Sequence, residues 1–292
     1  MKNFDALFSA YNCNLSDEKV TENVSKIIAD NYKVNNNINV YKKLFSLIDL
    51  TSLGTTDNEK QIITFTEKVN QLSENFPEME NVAAICVYPC FVETVKNTLI
   101  EDIEIAAVAA GFPSSQTFIE IKIAETALAV SQGASEIDIV LSVGKFLSEN
   151  YDETFEEIEE IKSSCRNSHL KVILETGALA TAKNIKKASL LCMEAGADFI
   201  KTSTGKTNPA ATPEAAYVMC EAIREYYKNT GKKVGFKAAG GISTTEDAVK
   251  YYCIVKEILG EEWLNSSLFR LGASRLANNL LTDIYKKEVK YF

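Results

Sequence analysis

Histidine is almost missing from this chain: His169 is the only one in 292 residues. A zinc site draws on several His or Cys ligands at short spacings. The seven cysteines run from Cys13 to Cys253 without a CxxC pair. An odd, scattered set reads as free thiols in a reducing cytoplasm rather than a disulfide framework. Zinc chemistry therefore has no ligand set here, although a carboxylate magnesium site stays open on sequence grounds. Basic charge is also scarce, with 31 Lys and Arg against 40 Asp and Glu and a net charge of −9. Without a basic run, nucleic acid is not the expected partner. No stretch reaches the roughly 18 apolar residues of a membrane span, and Met1 to Asp5 lacks the apolar core of a signal peptide. His169 itself, with no partner motif around it, reads as a strand-edge residue.

What is present is alternation. Short apolar runs fall at 44–49, 82–87, 103–109, 136–141, 170–175, 197–201, 233–238 and 268–272. Amphipathic segments separate them. Strands alternating with helices imply a parallel sheet covered on its faces. Eight such units imply a (β/α)8 TIM barrel, class α/β. A doubly wound open sheet is the alternative, but no G-x-G-x-x-G follows an early strand. Thr212-Pro213 looks like a helix cap followed by proline at the first helical position. Ser243-Thr244-Thr245-Glu246 looks like a capping box opened by Ser243. Phe118, Ile121, Ile123, Ala124, Ala127 and Leu128 mark an apolar helical face within 115–131. Residues 1–40 lie outside the eight units and read as a helical extension packed on the barrel. Its start is expected to fray, and its helix is capped at Ser16 with Val20, Val24, Ile27 and Ile28 inward. Residues 41–292 are then the barrel domain.

Two lysines stand where lysine is expensive. Lys201 closes the apolar run before Thr202-Ser203-Thr204-Gly205-Lys206, and Lys237 closes Val234-Gly235-Phe236 before Ala238-Ala239-Gly240-Gly241. Apolar walls disfavour the charged amine, and a neutral amine is a nucleophile. In a barrel of this type the active site lies at the carboxyl ends of the strands. Those ends carry Asp49, Cys86, Glu175, Lys201, Lys237 and Ser274. Asp138 sits inside Glu136-Ile137-Asp138-Ile139-Val140, where a buried carboxylate needs a partner. It reads as a proton shuttle beside the amine or as a structural ion pair. Asp49 reads as a strand-end cap or as a partner for lysine or substrate. Glycine-bearing loops follow three consecutive strands, at Gly205-Lys206, Gly240-Gly241 and Gly272-Ala273-Ser274. Glycine lets backbone N–H groups approach an anion, and a following helix N-terminus favours phosphate.

Seven motifs together resemble the DeoC family, class I metal-free deoxyribose-phosphate aldolases, in its eukaryotic-type branch. They are Leu47-Ile48-Asp49-Leu50-Thr51, Ala84 to Pro89, Ala109-Ala110-Gly111-Phe112-Pro113, Glu136 to Val140, Phe199 to Lys206, Gly235-Phe236-Lys237 with Ala239-Gly240-Gly241, and Gly272-Ala273-Ser274. The resemblance implies reversible cleavage of 2-deoxy-D-ribose 5-phosphate to D-glyceraldehyde 3-phosphate and acetaldehyde, with no metal and no cofactor. It implies Lys201 as the Schiff-base lysine, Lys237 as the lysine that tunes it, and Asp138 as the acid/base. Asp49 and Cys86 match site-lining positions. Thr204, Gly205, Lys206, Gly240, Gly241, Gly272 and Ser274 match the substrate- and phosphate-binding set. The partner implied is a phosphorylated sugar, with a homodimer as the common assembly. Another Schiff-base aldolase and a sugar-phosphate binder without turnover are the competing readings. The retention of Lys201, Lys237 and Asp138 counts against the binder.

Three positions depart from the family pattern: Ala238 replaces a proline, Ser243 an arginine and Arg275 a serine or other small residue. Arg275 is the candidate to replace the lost cation. Tyr291, the penultimate residue, matches by position alone a tyrosine that can close over the site, and reads instead as part of a frayed tail.

Overall fold

The computed structural model describes residues 3–292. Eight strands run as β1 (Ile48–Thr51), β2 (Ala84–Val87), β3 (Glu104–Val108), β4 (Glu136–Val140), β5 (His169–Ile173), β6 (Phe199–Lys201), β7 (Gly235–Ala239) and β8 (Phe269–Ala273). They close in sequence order into one barrel, every neighbour parallel, with β8 pairing back on β1. Helices between them cover the outside, so the barrel is the (β/α)8 fold expected from the alternation.

The first strand starts later than its apolar run. Leu44 and Phe45 end a helix, Ile38–Phe45, because Asn37 caps it by accepting the N–H groups of Asn39 and Val40. The Asn-rich break thus starts a new helix, which crosses the expected division at residue 40.

The N-terminal extension follows its apolar spacing. Ser16 caps Asp17–Asn35, whose Val20 and Val24 are buried, with Ile27 and Ile28 half-buried. The helix lies on the outer helices Pro213–Thr230 and Thr245–Leu259, and Asn23 and Asn31 donate across to Tyr217 and Glu257. Of the start expected to fray, Met1 and Lys2 lie outside the described residues. Phe4–Ser9 is helical, and Phe4 and Phe8 pack against Tyr151 and Phe155.

Two other helices correct their sequence reading. The cap of Thr245–Leu259 is Thr244, one residue beyond Ser243, and Thr244 accepts from Asp247 N–H at 3.0 Å. Helix Ile119–Gln132 turns Lys122, Thr126 and Ala129 inward and leaves Phe118, Ile121 and Leu128 exposed. An ion pair explains the inversion. The Lys122 ammonium lies 2.7 Å from Glu157 and donates to Ser115 and Ser142, so its burial leaves no charge unpartnered.

The C-terminus neither frays nor covers the barrel mouth. The N–H groups of Tyr291 and Phe292 donate to Asn278, and the Tyr291 hydroxyl donates to the Lys68 carbonyl at 2.6 Å. Lys68 lies in the last turn of Glu59–Asn70, at the end of the barrel away from the carboxyl ends of the strands.

Candidate active site

Side chains alternate along a strand, and in a barrel one set points into the lumen. Glu136 and Asp138 of β4, Lys171 of β5, Phe199 and Lys201 of β6, Lys237 of β7, Arg270 of β8 and Asp49 of β1 form that inner set. Register aligns them, pairing Asp138 with Lys171, Lys201 with Lys237, and Lys237 with Arg270. The wall formed by β2 and β3 is lined by small apolar residues, Ala84, Cys86, Ala106 and Val108, in a cluster separate from the outer core. That wall leaves room for long charged side chains opposite.

Two glycines make the remaining space. A Cβ on Gly272 would lie 2.8 Å from the Ala239 Cβ and 3.1 Å from the Lys237 Cε. A Cβ on Gly235 would run into the Phe199 ring. Gly272 therefore makes way for the second lysine, and Gly235 for the phenylalanine beneath it.

Asp138 is fully buried, and its Oδ2 is shared by two amines, with Lys201 Nζ and Lys237 Nζ each at 2.7 Å. Its Oδ1 accepts no hydrogen bond among the described residues, the Lys171 ammonium lying 3.8 Å away. Lys237 also reaches Asp49 Oδ2 at 2.5 Å. These contacts divide the two lysines electrostatically. Burial would lower Lys237, but Asp138 and Asp49 outweigh it and hold its amine well above the usual lysine range. Burial dominates at Lys201 and lowers it; Asp138 opposes this, and the Lys237 charge adds to it. Burial works against ionised Asp138 and Asp49, yet the surrounding cations hold both below the usual carboxylate range. The Cys86 thiol is pushed up by burial and stays protonated at neutral pH. Of these two lysines Lys201 is thus the amine more readily freed of its proton, with a charged lysine beside it.

Above Lys201 opens a cavity of about 360 Å³ lined by Thr51, Thr204, Gly205, Lys206, Gly240, Gly241, Ser243, Gly272, Ser274 and Arg275, with Lys201 at its floor. Asp49, Cys86, Lys237 and Asp138 lie beneath this lining, in the lumen. Gly205, Gly240 and Gly241 all hold positive φ, from 76° to 95°, in the left-handed region that favours glycine. A Cβ on Gly240 would meet Ala210 at 2.9 Å, so the two loops close together only through glycine. Thr204 is fixed by Glu175, which accepts its hydroxyl at 2.6 Å. Lys206 donates its ammonium to the Leu53 carbonyl at 2.5 Å, across the mouth from its own loop. Ser274 precedes Arg275–Tyr285, so the unpaired N–H groups of that helix face the cavity rim.

The family model for the DeoC/LacD family aldolases matches residues 44–253. The chain belongs to that family. A Caenorhabditis elegans protein is 43% identical over 246 residues, covering 83% of this chain and 81% of that one. A deoxyribose-phosphate aldolase of Homo sapiens is 41% identical over 254 residues, covering 83% and 80%. A solved structure described as the aldolase QR15 is 29% identical, has a TM-score of 0.67, and covers 83% of this chain and 96% of that one. An aldolase is what the lumen's chemistry suits, because its central group is an amine whose charged form is disfavoured by burial, with a carboxylate at hydrogen-bond distance.

Sequence reasoning missed the lower tier of charge in this lumen. Lys171, Glu136 and Arg270 are as buried as the lysines above them. The available signal was a charged residue at an inward position of a strand sealed on both faces. Lys171 between Leu170 and Val172, and Arg270 between Phe269 and Leu271, both carry it. Among the described residues, no three His, Cys, Asp or Glu side chains are grouped as a metal would require.

Proposed function

We propose that the chain is a deoxyribose-phosphate aldolase that cleaves 2-deoxy-D-ribose 5-phosphate to D-glyceraldehyde 3-phosphate and acetaldehyde through a Schiff base on Lys201. One observation carries the reading: two buried lysines of opposite tendency share the Asp138 carboxylate at the floor of a glycine-rimmed cavity. The name of the human relative supports the substrate.

In this reading the free Lys201 amine attacks C1 of the open-chain sugar, and loss of water gives a protonated imine. That imine draws the C2–C3 bonding electrons as the C3 hydroxyl loses its proton, releasing glyceraldehyde 3-phosphate. The enamine left on Lys201 takes a proton at C2, and hydrolysis frees acetaldehyde. Asp138 is the proton carrier, with Oδ1 as its unoccupied acceptor. Lys237, held charged by Asp138 and Asp49, keeps the Lys201 proton disfavoured and can donate one to the leaving water. Asp49 positions Lys237 from below. The Cys86 thiol belongs to the small apolar wall.

The phosphate is assigned to the rim, where Gly205, Gly240, Gly241 and Gly272 expose backbone and Ser274 opens a helix. Thr204, Lys206 and Arg275 complete that set. A cytoplasmic location is supported by seven cysteines that are all free. Among the described residues, no helix is long and apolar enough to cross a membrane. A homodimer is supported by the exposed apolar face of Ile119–Gln132.

Incubation with acetaldehyde followed by borohydride reduction tests the mechanism. A two-carbon addition on Lys201 is expected, with turnover unaffected by EDTA. An unmodified Lys201 would sink the covalent step. Comparing cleavage of deoxyribose with that of its 5-phosphate separates this substrate from other aldols.

A further inference from the structure

Below the Asp138 cluster the lumen holds a second tier of charge that substrate cannot reach. Glu136 is fully buried and ion-paired to Lys171. Its two oxygens also accept from Arg270, Oε1 from Nη2 at 2.9 Å and Oε2 from Nη1 at 3.2 Å. Arg270 Nη1 lies 2.5 Å from Asp49 Oδ1. Two unbroken chains of ion pairs therefore rise to Lys201. One runs from Glu136 through Lys171 and Asp138. The other runs from Arg270 through Asp49, Lys237 and Asp138. Neither Glu136 nor Arg270 lines the upper cavity; both line a separate cavity of about 410 Å³ at the opposite end of the barrel.

We propose that Glu136 and Arg270 are positioning residues that act on Lys201 from the far end of the barrel in opposite directions, Glu136 holding a proton on its amine and Arg270 holding it off. The proposal rests on the reading of Lys201 as the nucleophile. Charge balance gives the sign. Among the described residues, Lys171, Lys201, Lys237 and Arg270 face the carboxylates of Asp49, Glu136 and Asp138 in the lumen, so a neutral Lys201 leaves as many cations as anions. Loss of the Glu136 charge leaves Lys171, Lys237 and Arg270 facing two carboxylates, which disfavours a fourth cation and frees the Lys201 amine further. Loss of the Arg270 charge leaves three carboxylates facing Lys171 and Lys237, and a protonated Lys201 then restores balance. The other groups facing Lys201 are Lys237 and the Cys86 thiol, which stays neutral. Around the lower cavity, His169 approaches Glu136 at 4.0 Å, and Lys43, Glu80, Glu101, Asp102 and Glu104 line its walls.

The readout is the pH dependence of borohydride trapping of acetaldehyde on Lys201 in the full chain. Glu136→Gln is expected to move the acid limb of this profile down and Arg270→Gln to move it up. Each shift is about one pH unit, the effect of one charge two or three ion pairs away at an effective dielectric near 20. The double variant returns close to the parent, and Arg270→Lys, which keeps the charge, leaves the limb in place. A purely structural role would lower the trapped yield without opposed shifts. Shifts in the same direction, or none, overturn the proposal. If either Gln variant fails to fold, the exposed His169 replaces it: His169→Lys lowers the limb and His169→Glu raises it, by a few tenths of a unit because solvent screens the site. An unmoved limb in that pair overturns the proposal equally. Absence of any adduct on Lys201 in the parent protein refutes the reading of the nucleophile instead.

Discussion

Arg275 stands exposed at the first position of the last helix, on the rim of the upper cavity, and no ion pair engages it among the described residues. Across that rim Ser243 offers a hydroxyl where the family pattern has an arginine. The two departures fall on one cavity, so the cation lost at one position is available from the other. A charge-assisted hydrogen bond is worth about 1.5–3 kcal/mol. Arg275→Ala is accordingly expected to raise KM for the 5-phosphate about ten- to a hundredfold, with kcat little changed and unphosphorylated deoxyribose unaffected. Steady-state kinetics on both substrates check this, and an unchanged KM would remove Arg275 from the phosphate set. At this scale the sequence was most legible where a residue broke its local rule. Lys201, Lys237 and Asp138 are polar groups in apolar runs, and the structure brings all three to one oxygen atom. Asp49 breaks the same rule, but its position was ambiguous. A residue that ends an apolar run can face the mouth or the lumen, and only the late start of β1 turns it toward Lys237 and Arg270.

Helix Ile119–Gln132 shows where periodicity misleads. Its apolar spacing is genuine, yet the face it marks is outward, with Phe118 77%, Ile121 56% and Leu128 62% exposed. The buried face was set by a contact that spacing cannot register, the Lys122–Glu157 ion pair joining residues 35 apart. The same holds at the helix following β7, where capping moved from Ser243 to Thr244 because the acidic residue reached is Asp247 rather than Glu246. An exposed apolar helix face on a chain of this net charge calls for an occupant, and a second copy is the one proposed. Phe118→Asp together with Leu128→Asp is expected to convert a dimer to a monomer in sedimentation velocity at micromolar concentration. The fold should persist, because neither side chain contributes to the core. A parent protein already monomeric under those conditions would contradict the homodimer, and an unchanged dimer would place its interface on another face.

The molecule as a whole keeps two interiors. The outer one, between barrel and helices, is mostly apolar and continuous from Phe4 to Ile284, with the Lys122–Glu157 pair set into it. The inner one is ionic, and each charge there bears a desolvation penalty offset only by its partners. Eight alternating units were readable because the outer interior imposes the pattern. The inner one was readable only in part, since it is assembled from strands far apart in sequence. Its carboxylates give the fold a distinct acid limit. Asp49 and Asp138 are held below their unfolded value by the cations around them. A depressed carboxylate stabilises the fold above its unfolded pKa, about 3.9, and loses that contribution as pH falls toward its folded one. The urea midpoint is therefore expected to hold between about pH 7 and 5 and to fall steeply from about pH 4.5 to 3, with the slope of the transition unchanged. Surface ion pairs would contribute a similar trend at low salt, but 1 M NaCl shortens the screening length to about 3 Å and removes most of it. Buried pairs are screened far less, so the fall should survive in 1 M NaCl. A midpoint that is flat across that window at high salt would mean that the lumen carboxylates are not ionised in the native state, and the division of labour between Lys201 and Lys237 would lose its electrostatic basis.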